Sequence, residues 1–168
     1  VRGIRESASF YSWMVGLKLA IIAFFLGMGA LYVKPENWTP FAPNGFEGIA
    51  GAAAIIFFAY IGFDAVSTAS EESINPQRDM QNANLGSLAI CTVIYIAVAA
   101  VLTGMVPWNQ LGTAEPLATA FSSLGMNWPA LVISLGAVFA TTSVLLVFQF
   151  GQPRIFFSMG RDGLLPGW

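Results

Sequence analysis

The sequence predicts an all-α protein, a polytopic bundle of transmembrane helices, and three observations carry that prediction. Of the 168 residues, 56% are hydrophobic and 10% are charged, where a soluble domain carries roughly 25% charge. Such a surface cannot stay solvated as a globule. The apolar residues gather in long unbroken runs instead of alternating, which excludes barrel strands of about 10 residues with one polar face. Between the runs lie short segments of turn chemistry.

A membrane-crossing helix needs about 20 mostly apolar residues, because the hydrocarbon core is about 30 Å thick and each residue rises about 1.5 Å. Four runs meet that length: residues 8–33 with Lys18 as the only charge, 48–70 with Asp64 as the only charge, and 85–106 and 129–152 with none. The connectors hold Pro35, Pro40 and Pro43, then Asn75-Pro76, then Pro107, Pro116 and Asn127-Trp128-Pro129. Trp38, Trp108 and Trp128 fall beside run ends, as interface anchors do. Arg2 and Arg5 precede the first run, Arg78 separates the second from the third, and Arg154 and Arg161 follow the fourth, so these five share one side. Lys34 alone lies on the other side. The positive-inside rule therefore puts both ends in the cytoplasm. The opening Val1-Arg2-Gly3-Ile4-Arg5 has neither an initiating Met nor a cleavage-type pattern, so the expectation is a single fragment, residues 1–168, of a longer polypeptide.

A single cysteine, Cys91, allows no internal disulfide. The lack of histidine removes the commonest metal ligand and the usual pH switch. No metal centre and no cofactor is expected, and proton chemistry falls to Lys, Asp, Glu or Tyr. Without paired carboxylates at mid-depth or a Gly-x-Ser-x-Gly element, an intramembrane enzyme is disfavoured. Without a basic face, nucleic acid is excluded as a partner.

Lys18 lies about ten residues into its run, roughly 15 Å deep. A lysine at that depth costs at least about 2.5 kcal/mol and usually faces a bundle interior or an aqueous path. Two readings stand: a structural lysine bonded to carbonyls of a neighbouring helix, or one that gains and loses a proton during a cycle because desolvation penalises its charged form.

In the second run, small residues at 48–54 give way to Phe57-Phe58-Ala59-Tyr60-Ile61-Gly62-Phe63-Asp64. A glycine among bulky residues can break the helix, with Asp64 capping a second half. Broken backbone at membrane depth survives only where it is buried in protein or lines a cavity, and its free carbonyls and amides suit ions and zwitterions. The alternative is an unbroken helix with Asp64 satisfied by a neighbouring hydroxyl. The fourth run carries Thr141-Thr142-Ser143, read either as hydroxyls bonded back to their own helix or as a cation site. Gly151 and Pro153 near its exit are expected to loosen its end.

At these residues the chain resembles a known family. Residues 57–64, Glu71-Glu72, Asn75-Pro76 and Arg78-Asp79 look like the sixth span and following loop of the cationic amino-acid transporter branch of the amino acid–polyamine–organocation superfamily. Gly151-Gln152-Pro153-Arg154-Ile155-Phe156 and Arg161-Asp162-Gly163-Leu164-Leu165-Pro166 look like its eighth span and exit loop. The resemblance implies spans five to eight of about twelve in a five-plus-five inverted-repeat, LeuT-like fold, set in a bacterial plasma membrane.

It further implies that carbonyls of Phe58, Ala59 and Ile61 hold a substrate's α-ammonium. Tyr60 and Gly62 belong to the same break, Phe58 closes over the substrate, and Asp64 shapes the pocket. Lys18 matches the fifth-span lysine of proton-coupled relatives, and Thr142 and Ser143 lie on the helix that shares its site. Phe148 departs from the branch's pattern by its bulk, which leaves little room for an arginine side chain.

The implied function is secondary active transport, with uptake of small neutral L-amino acids coupled to protons by alternating access. Its partners would be the amino-acid substrate, protons, the lipid bilayer and the remaining spans of the same polypeptide, among them the first, without which this piece would neither bind nor transport. The alternatives are a cationic amino-acid carrier or exchanger, and a non-transporting four-span receptor, channel subunit or scaffold in which Lys18 and Asp64 are structural.

Overall fold

A computed structural model describes residues 2–60, 62 and 75–164, and no strand forms among them. The helices are α1 (Arg2–Ala30), α2 (Gly45–Ile56), α3 (Pro76–Met105), α4 (Pro116–Ser123) and α5 (Asn127–Arg161). Those at Ser12–Ala30, Gln77–Met105 and Asn127–Arg161 are long and apolar enough to cross a membrane. The described part of the second run, Gly45–Tyr60, is a shorter apolar helix. Ile61, Asp64 and Glu71-Glu72 lie outside the described residues.

The helices outrun the apolar runs that announce them. Hydropathy marks the length matched to hydrocarbon, whereas a helix begins where its first turn can be capped. Thus α3 starts at Pro76 and not at Leu85, placing Arg78 and Asp79 in its first turn instead of in a loop. Proline suits that position because its missing N–H is one that a first turn leaves unpaired anyway. The Asn75 amide donates to Asp79 Oδ2 at 3.4 Å, and the Asp79 amide to the Asn75 carbonyl at 2.9 Å. Likewise α5 passes through Pro153 to Arg161 instead of stopping at Gln152. Proline removes one backbone bond there, which membrane helices tolerate when the freed carbonyl finds another partner. The helix stops at Gly163, whose φ of +72° lets the Leu164 amide reach back to the Met159 carbonyl at 2.9 Å, the Schellman closure that favours glycine.

Two compact units divide the chain. The first takes its residues from Val1–Gly45 and Val93–Ser143. Its core joins Phe25 of α1, Met105 and Val106 at the end of α3, Ala120 and Phe121 of α4, and Ile133 of α5. Phe25 meets Phe121 edge-on, centroids 5.7 Å apart, the geometry that ring quadrupoles favour. Glycines bring the helices close: a Cβ on Gly136 would lie 2.8 Å from Ile21, and one on Gly29 would lie 2.6 Å from Val101.

The 107–128 connector, read from the sequence as turns, contains α4. Glu115 stands before Pro116 at its start, and Gly125 at φ +76° closes it in the same Schellman manner, with the Met126 amide bonded to the Phe121 carbonyl at 3.0 Å. The 31–44 connector is fastened to the end of α3. The Gly104 carbonyl accepts from the Lys34 amide at 2.9 Å and from Asn37 Nδ2 at 2.7 Å, and Trp38 Nε1 donates to the Ala100 carbonyl at 3.2 Å.

The second unit draws on Phe46–Thr92 and Val144–Trp168. Here α2 tightens at Ile56 into a 3-10 turn, Phe57–Tyr60, and Gly62 follows with φ +144°, which L side chains rarely adopt. Regular α-helix therefore does not continue through Gly62. Phe57 and Phe58 are exposed, as are Ile55, Leu85, Ile90 and Val144. Together with the long apolar helices, such surfaces mark an integral membrane protein.

The contact at Gly136 makes a stability prediction. Gly136→Val in the full-length protein should destabilise it by about 1–3 kcal/mol through overpacking against the stiff Ile21. Thermal unfolding in detergent reads the effect, and adding Ile21→Ala should recover most of the loss. Independent, additive losses would disprove the contact.

Candidate functional site

Within the first unit, a cleft of about 330 Å³ is lined by residues of α1, α3, α5 and the start of α4. Lys18, Ile21 and Phe25 of α1, Val98 of α3, Glu115 and Ser134 are among its lining residues. The helices run antiparallel, since Ile21 faces Gly136 while Phe24, further along α1, meets Trp128, earlier on α5, with ring centroids 5.6 Å apart. The cleft is apolar apart from three side chains. Ser134 Oγ donates to Glu115 Oε2 at 3.0 Å, an exposed bond. Lys18, half-buried, makes no hydrogen bond or ion pair among the described residues. A cation in an apolar helix long enough to cross a membrane is expensive.

Thr142 and Ser143, expected to share the Lys18 site, are not among the cleft-lining residues of α5. Thr142 Oγ1 donates to the Val138 carbonyl at 2.8 Å, and Ser143 Oγ, 3% exposed, to the Ala140 carbonyl at 2.8 Å. Both hydroxyl protons thus serve the helix itself, as does that of Thr141 toward Ala137. Their lone pairs stay available to a cation.

The second unit holds the expected substrate residues Phe58, Ala59, Tyr60, Gly62 and Phe148. The Phe57 and Phe58 rings pack edge-to-face with centroids 6.4 Å apart. Tyr60 ties the 3-10 turn to α3: its hydroxyl lies 3.1 Å from Thr92 Oγ1, whose own proton goes to the Leu88 carbonyl at 2.8 Å. A hydroxyl has one proton, so Tyr60 donates in this pair. Phe148 is half-exposed. Sequence reasoning passed over Thr92, Ser134 and Glu115. Glu115-Pro116 had a readable signal, an acidic residue before a proline at the first position of a helix.

The model of the amino acid permease family matches residues 1–168. The chain belongs to the amino acid permease family. This permease segment is 47% identical over 166 residues to the branched-chain amino acid permease BcaP of Bacillus subtilis (strain 168), covering 98% of the segment and 36% of that relative. It is 49% identical over 166 residues to the methylthioribose transporter of the same organism, covering 99% and 36%. To the chloroplastic cationic amino acid transporter 9 of Arabidopsis thaliana it is 47% identical over 165 residues, covering 98% and 29%. The segment thus spans about a third of the length of these curated relatives. All three are permeases or transporters and none is an enzyme, in agreement with the superfamily resemblance of residues 57–64 and 151–166.

The Tyr60–Thr92 bond can be weighed directly. A double-mutant cycle with Tyr60→Phe and Thr92→Val in the full-length permease, read by thermal unfolding, should give a coupling of about 0.6 kcal/mol and no more than about 1.7 kcal/mol. Strict additivity of the single changes would show that the bond does not hold the turn.

Proposed function

We infer that the segment supplies spans five to eight of a secondary active transporter that takes up small neutral L-amino acids with protons by alternating access. The observation that carries this reading is Lys18, a cation within the apolar Ser12–Ala30 helix without an ion-pair partner among the described residues, in a cleft whose other polar side chains are Ser134 and Glu115. Its protonated and neutral forms differ steeply in their free energy of burial, so proton gain or loss biases the arrangement of the helices around it. Both ends of the segment face the cytoplasm, following the arginine distribution, and the connectors 31–44 and 106–126 face outward. The membrane is a bacterial plasma membrane, and the remaining spans, in a five-plus-five inverted-repeat fold, complete the pocket.

The substrate's α-ammonium is held by backbone carbonyls around the end of α2, where regular helix gives way to the 3-10 turn and Gly62. Ile61 and Asp64 belong to this assignment, with Phe58 as the closing ring. Thr142 and Ser143 present hydroxyl lone pairs to the coupling site. The bulk of Phe148 favours short side chains. A cationic amino-acid carrier is the second reading, supported by the named activity of the Arabidopsis relative.

In liposomes holding the full-length protein, Lys18→Met should abolish accumulation of labelled alanine driven by an imposed pH gradient. Undiminished accumulation would refute the proton-coupling role. Phe148→Ser should admit arginine or lysine as competitors of alanine uptake. An unchanged competition profile would remove Phe148 from the pocket.

A further inference from the structure

We propose that Glu115 is the outward-facing proton relay of this transporter, passing protons between the outer solution and Lys18 along the cleft that both line. The proposal rests on the reading of Lys18 as the proton-coupling group and on the orientation that puts α4 outside. Glu115 precedes a short helix of the outer connector, and its carboxylate is fixed by Ser134 Oγ at 3.0 Å. Lys18 lines the same cleft.

The register gives the axial offset between Lys18 and Ser134, the residue that holds Glu115. Ile21 lies level with Gly136. Lys18 is three residues deeper on α1, and Ser134 two residues shallower on the antiparallel α5. At 1.5 Å per residue the offset along the axes is about 7–8 Å. The four-carbon stem of a lysine and one bridging water cover that distance.

No other described group competes for the role. Facing Lys18 across the cleft, α3 contributes Val98, α5 contributes Ser134 as its only polar side chain among apolar neighbours, and the start of α4 contributes Glu115. Glu115 is therefore the one carboxylate among the lining residues, and it stands where the cleft meets the outer connector. Its bond to Ser134 occupies one oxygen and leaves the other able to take a proton.

The transfer balances simply. A proton from outer water binds the Glu115 carboxylate and forms the O–H bond. That bond breaks as the proton passes to the neutral Nζ of Lys18, which becomes an ammonium, and Glu115 returns to its carboxylate. The ammonium so loaded then travels with the conformational change.

The test uses full-length protein in liposomes and two measurements on each variant: pH-gradient-driven alanine accumulation, which needs net proton movement, and alanine counterflow, which does not. Glu115→Gln should slow accumulation at least about tenfold, in the range lost with a positioned proton-transfer group, while counterflow persists. Glu115→Asp should restore most of the accumulation. Ser134→Ala, which removes the fastening bond and keeps the carboxylate, should slow accumulation no more than about threefold, the scale of one exposed hydrogen bond.

Wild-type accumulation by Glu115→Gln would overturn the proposal. So would a joint loss of accumulation and counterflow that Ser134→Ala reproduces, because Glu115 would then be only a pin for the connector. Lys18→Met separates the two levels of inference. If it accumulates alanine normally, the coupling role of Lys18 fails, whereas loss in Lys18→Met with normal accumulation in Glu115→Gln condemns the relay alone.

Discussion

Hydrocarbon offers a backbone amide or carbonyl nothing to bond to, so wherever this chain leaves the α-helix at membrane depth its polar groups must be met inside the protein. Most of the architecture follows from how it meets that demand. At the end of α3 the carbonyls of Ala100 and Gly104 are met by an indole, a side-chain amide and a backbone amide of the following connector. At Pro153 the helix forfeits a donor and carries on. After Ile56 the helix tightens into a 3-10 turn and regular α-helix does not continue through Gly62.

The same scarcity governs the side chains. Hydroxyls at Thr92, Thr103, Thr141 and Thr142 give their protons to carbonyls one turn back on their own helices, the least demanding way to carry a polar group into lipid. Only where a second element comes close does a hydroxyl serve another purpose, as Thr92 does in accepting from Tyr60 and Ser134 does in holding Glu115. The ionisable residues of the cleft stand out against this background because neither is neutralised by an ion pair there.

The class of fold was legible because burial in lipid imposes a length and a composition that few other constraints imitate. Helix ends were less so: Leu85 and Gln152 mark where apolar character changes, but Asn75 and Gly163 mark where the backbone starts and stops, since capping and not hydropathy decides that. The short α4 escaped notice because its eight residues are too few for periodicity to register, and only the Glu115-Pro116 pair hinted at it. Lys18 announced itself by its depth. Thr142 and Ser143 could be read two ways, since a sequence does not say which acceptor a hydroxyl selects. At Phe58–Gly62 the residues left a break and an unbroken helix both open, and the partnership of Tyr60 with Thr92, 32 residues away, needed the fold to appear.

The fastening of the 31–44 connector has a mechanical consequence. The chain leaves α1 at Ala30 and is bonded to the terminus of α3 by Lys34, four residues later, a span of at most about 14 Å when fully stretched. The neighbouring ends of α1 and α3 are thus tethered on a short leash. Whatever movement these helices undergo, the two ends travel as a pair.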